Sequence, residues 1–127
     1  MKMQKSPNQL FFILSGSCLL SGVGIYALAC VYTGHTFFTL VRNFGADGFW
    51  LLSLEFALAP FIQALFPRKY PIVLATVCSF TGCLFEYLQE KEICKGTGDF
   101  LDCIMYLAAA MVGCLIIKKI YMRRETK

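Results

Sequence analysis

The sequence predicts an all-α membrane protein with four transmembrane helices arranged as antiparallel hairpins, and two observations lead to this prediction. First, 57% of the 127 residues are hydrophobic and the mean hydropathy is +0.62, which exceeds what a soluble domain of this size normally carries. Second, four separate apolar runs are each long enough, at about 1.5 Å per residue, to cross a hydrocarbon core of about 30 Å. The length allows one domain, which we predict to cover residues 1–127.

The four predicted helices cover about residues 10–31, 48–66, 70–88 and 100–120. The first contains no charged residue, and we predict that it is kept as a helix rather than cleaved as a signal segment. The second contains one carboxyl group, Glu55, the third is uncharged up to Glu86, and the fourth is uncharged after Asp102 until its basic end. A short basic turn bracketed by Pro67 and Pro71 predicts that the second and third helices form an antiparallel hairpin.

Basic residues predict the orientation of the helices, because Lys and Arg near the ends of spanning segments are retained on the cytoplasmic side. With the N-terminus inside, the two tails and the turn between the second and third helices hold nine of the twelve basic residues. Only Arg42, Lys91 and Lys95 are then outside. We therefore predict a multi-pass membrane protein with an N-in/C-in orientation. Positive-inside flanks account for the net charge of +4, so no nucleic-acid partner is expected.

The first helix and the loop after it give two local predictions. Ser17, Ser21 and Gly24 form a narrow face of small residues. Small side chains let helices approach closely in lipid, so we expect this face to be buried against a neighbouring helix. Asp47, at the end of the aromatic loop 33–47, is predicted to cap the second helix.

Glu55 is predicted to lie deep in the membrane, because it follows Asp47 by two helical turns, about 12 Å. An ionisable group at this depth is costly unless it is neutral or partnered, which makes it a functional candidate. The alternative is a protonated carboxyl that makes one interhelical hydrogen bond, to a serine or to polar groups near Gln63. Pro60 is predicted to kink the same helix.

Five of the eight acidic residues lie close together around the end of the third predicted helix and the start of the fourth. Glu86 and Gln89 share one face of the third helix, and Asp102 and Tyr106 share one face of the fourth. These two faces can meet across a short hairpin. Asp99 and Asp102 have an alternative explanation as helix caps, which satisfy free amides and suit the positive end of the helix dipole.

We therefore predict a polar pocket at the outer membrane boundary. Its predicted members are Glu86, Gln89, Lys95, Asp99, Asp102 and Tyr106, with Glu55 one or two turns deeper. Such a cluster can relay protons, hold a cation or receive the polar head of a lipid-linked substrate, and the residues alone do not choose between these roles. No spacing typical of a metal site is present.

The pocket residues resemble the signature of VanZ-like membrane proteins. Members of that family show Glu-x-x-Gln at the end of one spanning helix, then an Arg, then Asp-x-x-Asp-x-x-x-Asn-x-x-Gly-x-x-x-Gly at the start of the last helix. The matching residues here are Glu86, Gln89, Asp99, Asp102 and Gly113, with Lys95 near the place of the Arg.

Four positions depart from the family pattern. Tyr106 stands where the family has Asn, and Ala109 stands where it has the first Gly. The family also has an earlier Asp-Lys-x-x-His element. Asp47 matches its Asp, but Gly48 and Leu51 occupy the positions of Lys and His.

The resemblance implies a small integral membrane protein of the bacterial cell envelope, located in the plasma (inner) membrane. The family is named for a member that lowers sensitivity to the glycopeptide teicoplanin, a form of antibiotic resistance, and its molecular activity is not established. The resulting hypothesis is an envelope protein whose outward acidic pocket acts on a lipid-linked wall component or on antibiotic access. Its expected partners are membrane lipids and such a lipid-linked component, and the resemblance supplies no cofactor.

Two other classes of function are compatible with the sequence. One is a subunit of a transporter for a small solute, protons or cations, with Glu55 on the pathway and a homo-oligomer required. The other is a structural or assembly protein that binds another membrane protein. Intramembrane acids can also act as general acid and base, but the sequence shows no nucleophile–base pair or phosphate-binding loop, which favours a non-enzymatic function.

The seven cysteines show no CxxC spacing. Cys18, Cys78, Cys83 and Cys114 lie inside predicted helices, where Cys behaves as a small apolar residue. Cys30 and Cys94 lie near the outer ends and are candidates for a disulfide if that side is oxidising.

Overall fold

A computed structural model describes residues 7–32, 34, 36–37, 41–94 and 99–125 of the chain. It contains four long helices: α1 Pro7–Val31, α2 Ala46–Leu65, α3 Tyr70–Glu90 and α4 Phe100–Glu125. Each is long and apolar enough to cross a membrane, and the described residues contain no β-strand. The predicted all-α, four-helix class is confirmed.

The helices run alternately up and down, with α2 in contact with the other three. Ser15 on α1 contacts Ser53 on α2, whereas Gly22 further along α1 packs near Phe49, so these two helices are antiparallel. The α3–α4 pair is antiparallel as well. Near the start of α3, the thiol of Cys114 on α4 donates a hydrogen bond to the carbonyl of Pro71, 3.3 Å. Near the end of α3, Glu86 contacts the start of α4, as described below.

The core consists of large apolar side chains drawn from all four helices. Phe11, Leu51, Leu74 and Ile117 are each completely buried. Many other large apolar side chains are exposed, such as Phe100 at 78%. For helices that face hydrocarbon, this exposure is expected, because lipid rather than water surrounds the bundle.

The prediction for the packed face of α1 is wrong. Ser17 and Ser21 are exposed, and the Ser21 hydroxyl donates to the carbonyl of Ser17, 2.8 Å, within α1 itself. The face that packs on α2 instead contains Ser15, whose hydroxyl donates to the carbonyl of Ser53 at 2.8 Å. Small residues occur on several sides of α1, so their spacing alone does not identify the buried side. The third member of the predicted face, Gly24, is half-buried.

The start of α2 also differs from the prediction. A π-helical turn, Val41–Gly45, leads directly into α2, and Gly45 stands at the N-cap position without a side-chain hydrogen bond. Asp47 therefore lies inside the first turn rather than at the cap. The helix continues through Pro60 to Leu65.

Candidate functional site

A cavity of about 480 Å³ lies at the end of the bundle where α3 ends and α4 begins. Its lining comes from all four helices and from the π-helical turn. The lining residues are Tyr26, Arg42, Phe44, Ala46, Asp47, Glu86, Gln89, Asp99, Asp102 and Tyr106. We call this space the acidic cavity. Five of the predicted pocket residues line it: Glu86, Gln89, Asp99, Asp102 and Tyr106.

Glu86 is the structural centre of the acidic cavity. Only 5% of this residue is exposed, and each of its carboxylate oxygens accepts a hydrogen bond from α4 or the residue just before it. The backbone N–H of Asp99 donates to Oε2 at 3.0 Å, and the Tyr106 hydroxyl donates to Oε1 at 3.2 Å. One carboxylate on α3 thus holds the first turns of α4 in register.

The ring of Tyr106 fits against α3 because residue 82 is a glycine. A Cβ built on Gly82 would lie 2.6 Å from Cγ of Tyr106, closer than two carbon atoms can approach. The absence of a side chain at Gly82 therefore allows Tyr106 to reach Glu86, one turn further along α3.

The two aspartates at the start of α4 play different parts. Oδ1 of Asp99 accepts a hydrogen bond from the backbone N–H of Leu101, 3.0 Å, which is the geometry of an N-cap. The capping explanation is therefore correct for Asp99. Asp102 lies one turn later, is 9% exposed and lines the acidic cavity.

Two charged residues of the acidic cavity were not among the predicted members. Asp47 enters from the first turn of α2, and Arg42 enters from the π-helical turn. The cavity thus combines four carboxyl groups with one guanidinium among the described residues. For Asp47 the sequence did contain a signal, because it matches the Asp of the family's earlier element.

Glu55 lies outside the acidic cavity. It is completely buried between α2 and α4, where its carboxylate faces Gly113. Neither carboxylate oxygen has a hydrogen-bond partner among the described residues. The interhelical hydrogen bond considered for Glu55 is therefore absent, and the nearby Ser53 interacts with Ser15 instead.

Several sequence predictions concern other polar groups. Lys95 lies outside the described residues. Cys30 and Cys94 both carry free thiols, so the considered disulfide is not formed. Cys83 and Cys103, which the sequence did not pair, line one pocket between α3 and α4.

The polar groups that line the acidic cavity indicate which ligands it can bind. In the part of the chain that the structure describes, no group of three His, Cys, Asp or Glu side chains is arranged to hold a metal ion. Four carboxyl groups beside an amide, two phenols and a guanidinium suit an organic ligand with amino or hydroxyl groups, because carboxylates accept several hydrogen bonds and attract positive charge.

Comparisons with models of known protein families, with curated proteins and with solved structures found no match to this chain.

Proposed function

We propose that the chain is a VanZ-like membrane protein of a bacterial envelope, which holds the polar head of a lipid-linked envelope component in its acidic cavity and thereby lowers sensitivity to a glycopeptide such as teicoplanin. The observation that carries the proposal is the convergence of three separate sequence elements on one cavity. Glu86 and Gln89 come from α3, Asp99 and Asp102 from the start of α4, and Asp47 from α2. Glu86, Gln89, Asp99 and Asp102 are among the residues that carry the family resemblance, and Asp47 is the one residue that matches the family's earlier element.

The charge distribution supports an outward-facing cavity. The acidic cavity lies at one end of the bundle, whereas Arg68, Lys69, Lys118 and Lys119 lie at the opposite end, near the α2–α3 turn and the end of α4. By the positive-inside rule the basic end is cytoplasmic. A cavity at the other end would then be reached from outside the cell, where lipid-linked wall components and glycopeptides are found.

The experiment compares teicoplanin susceptibility in a bacterial host that expresses the wild-type chain or a charge-neutral variant. Asp47→Asn and Asp102→Asn each remove one carboxylate from the cavity while nearly preserving its shape. Glu92→Gln is the matched control, because Glu92 is exposed and does not line the cavity. Membrane levels of every variant are measured by immunoblot.

We expect protection with wild type and Glu92→Gln, and its loss with Asp47→Asn and Asp102→Asn. Full protection by both cavity variants at equal abundance would exclude a role for the cavity. If wild type itself gives no protection, the proposed function is wrong.

A second candidate, a subunit for proton or cation transport, is favoured by one observation. Glu55 is fully buried in the bundle without a hydrogen-bond partner among the described residues, and unpaired intramembrane carboxyls often mark ion pathways. Purified protein reconstituted in liposomes should then carry a proton or cation flux that Glu55→Gln abolishes. Absence of flux with wild type would exclude this candidate.

A further inference from the structure

A second cavity lies at the end of the bundle opposite the acidic cavity. It has a volume of about 370 Å³ and lies between the first turn of α3 and the last turns of α4. The residues that matter for its chemistry are Arg68, Tyr70, Pro71, Ile72, Lys118 and Tyr121. We call it the basic cavity.

Packing between three helices fixes the walls of the basic cavity. The ring of Tyr121 on α4 stacks edge-on against Tyr70 at the start of α3, with centroids 5.1 Å apart. On its other side Tyr121 contacts Phe11 of α1, with centroids 5.2 Å apart. The hydrogen bond from the Cys114 thiol to the Pro71 carbonyl ties the same part of α3 to α4. This packing fixes the aromatic wall of the cavity, whereas its two charged side chains, Arg68 and Lys118, are exposed.

The charge of the basic cavity is positive. Arg68 enters from the α2–α3 turn and Lys118 from α4, and the described lining contains no carboxylate. A guanidinium and an ammonium that converge on one space provide the donors that phosphate oxygens accept. Two tyrosines, which are enriched where membrane proteins meet the headgroup layer, complete the wall.

Apolar surface continues from the basic cavity along the bundle. Ile72 lines the cavity and is 73% exposed, and Leu115, one turn before Lys118 on α4, is 66% exposed. A ligand that joins a phosphate to acyl chains could therefore keep its phosphate in the cavity and its chains against the helices. A free phosphate ion would make no use of this apolar surface.

We propose that the basic cavity binds the phosphate headgroup of an anionic phospholipid. Basic pockets between transmembrane helices at the cytoplasmic boundary commonly bind such headgroups. The proposal is independent of the acidic cavity, because it uses none of the same residues.

The test separates a built site from the general attraction of a basic surface. Arg68→Gln/Lys118→Gln removes two positive charges from the cavity. Lys69→Gln/Lys119→Gln removes two from neighbouring exposed positions that do not line it, so the net charge changes equally. Binding of phosphatidylglycerol and phosphatidylcholine to the full-length chain in a non-ionic detergent is measured by native mass spectrometry, after size-exclusion chromatography confirms that each variant is folded.

We expect wild type and Lys69→Gln/Lys119→Gln to bind one phosphatidylglycerol in preference to phosphatidylcholine. Arg68→Gln/Lys118→Gln should bind it at least about tenfold more weakly, which corresponds to the loss of one charge-assisted hydrogen bond. Equal weakening in both double variants would show attraction by surface charge alone and would overturn the proposal.

Competition with inorganic phosphate distinguishes a lipid headgroup from a free phosphate ion as the ligand. If inorganic phosphate fails to displace phosphatidylglycerol at equal concentration, the lipid is supported as the ligand. Displacement at equal concentration would assign the cavity to a soluble phosphate and overturn the lipid proposal. If the cavity variant proves unfolded, Arg68→Lys/Lys118→Arg replaces it, and this charge-conserving variant should retain the preference for phosphatidylglycerol. If the folded Arg68→Lys/Lys118→Arg variant loses the preference for phosphatidylglycerol, binding through charge is contradicted.

Discussion

The Tyr106 hydroxyl donates a hydrogen bond of 3.2 Å to Oε1 of Glu86 in the buried interface between α3 and α4. The other oxygen of the same carboxylate accepts the backbone N–H of Asp99. The Glu86 carboxylate on α3 therefore binds two points at the start of the next helix: the hydroxyl of Tyr106 and the backbone N–H of Asp99. Tyr106 can make this contact because Gly82 leaves room for its ring.

Tyr106→Phe removes this hydrogen bond and keeps the ring. We expect the free energy of unfolding in detergent to fall by about 1–3 kcal/mol, because a buried acceptor on Glu86 loses its donor. Thermal or denaturant unfolding followed by circular dichroism measures the change. Tyr87→Phe is the control, since Tyr87 is 54% exposed, and it should alter stability little. Equal stability of wild type and Tyr106→Phe would contradict a stabilising role for this bond.

Gly113→Ala should destabilise the bundle, because a Cβ at this position would collide with the carboxylate of Glu55 and would lie 3.1 Å from Cδ2 of Leu52. Overpacking of this kind typically costs about 1–3 kcal/mol. Gly16→Ala on α1 is the matched control, since a Cβ there meets nothing within 4 Å. That control should be neutral or slightly stabilising, because alanine favours helix over glycine by about 1 kcal/mol.

The collision can be tested separately from the loss of glycine. In a Glu55→Ala background the carboxylate is gone, so Gly113→Ala should cost much less than it does in wild type. An equal cost in both backgrounds would mean that Glu55 and Gly113 are not in contact.

The helices and most of the acidic cavity could be predicted from the sequence, because both depend on local patterns. Long apolar runs identify spanning helices, and the spacing of Glu86 with Gln89 and of Asp102 with Tyr106 places each pair on one helical face. Asp47 and Arg42 reach the cavity only through the π-helical turn and the position of α2 beside α4. That placement depends on contacts between distant segments, which no local pattern reports. The one signal, for Asp47, came from the family resemblance and not from helical spacing.

The packed face of α1 was predicted wrongly for a related reason. Small residues on several sides of α1 make more than one close packing feasible, and the hydrogen bond between Ser15 and Ser53 distinguishes the observed one. Ser15→Ala should therefore reduce stability by about 0.6 kcal/mol, typical of a hydrogen bond between membrane helices. Ser17→Ala, at an exposed position, should leave stability unchanged. A larger loss with Ser17→Ala than with Ser15→Ala would favour the originally predicted face.

Glu55 and Glu86 should respond in opposite ways to the same substitution. Both are buried glutamates, but Glu86 accepts two hydrogen bonds, whereas the Glu55 carboxyl has no partner among the described residues. Replacing an unpaired buried polar group by an apolar side chain of similar length removes a desolvation cost, while replacing a paired one leaves its donors unsatisfied.

We therefore expect Glu55→Met to raise the free energy of unfolding by about 1–3 kcal/mol and Glu86→Met to lower it by at least as much. Parallel denaturant unfolding of both variants in one detergent measures the difference. If Glu55→Met destabilises the protein as strongly as Glu86→Met does, the Glu55 carboxyl has a partner in the membrane. If Glu55→Met stabilises the protein but abolishes flux in liposomes, the stability that the buried Glu55 carboxyl costs is explained by a role in transport.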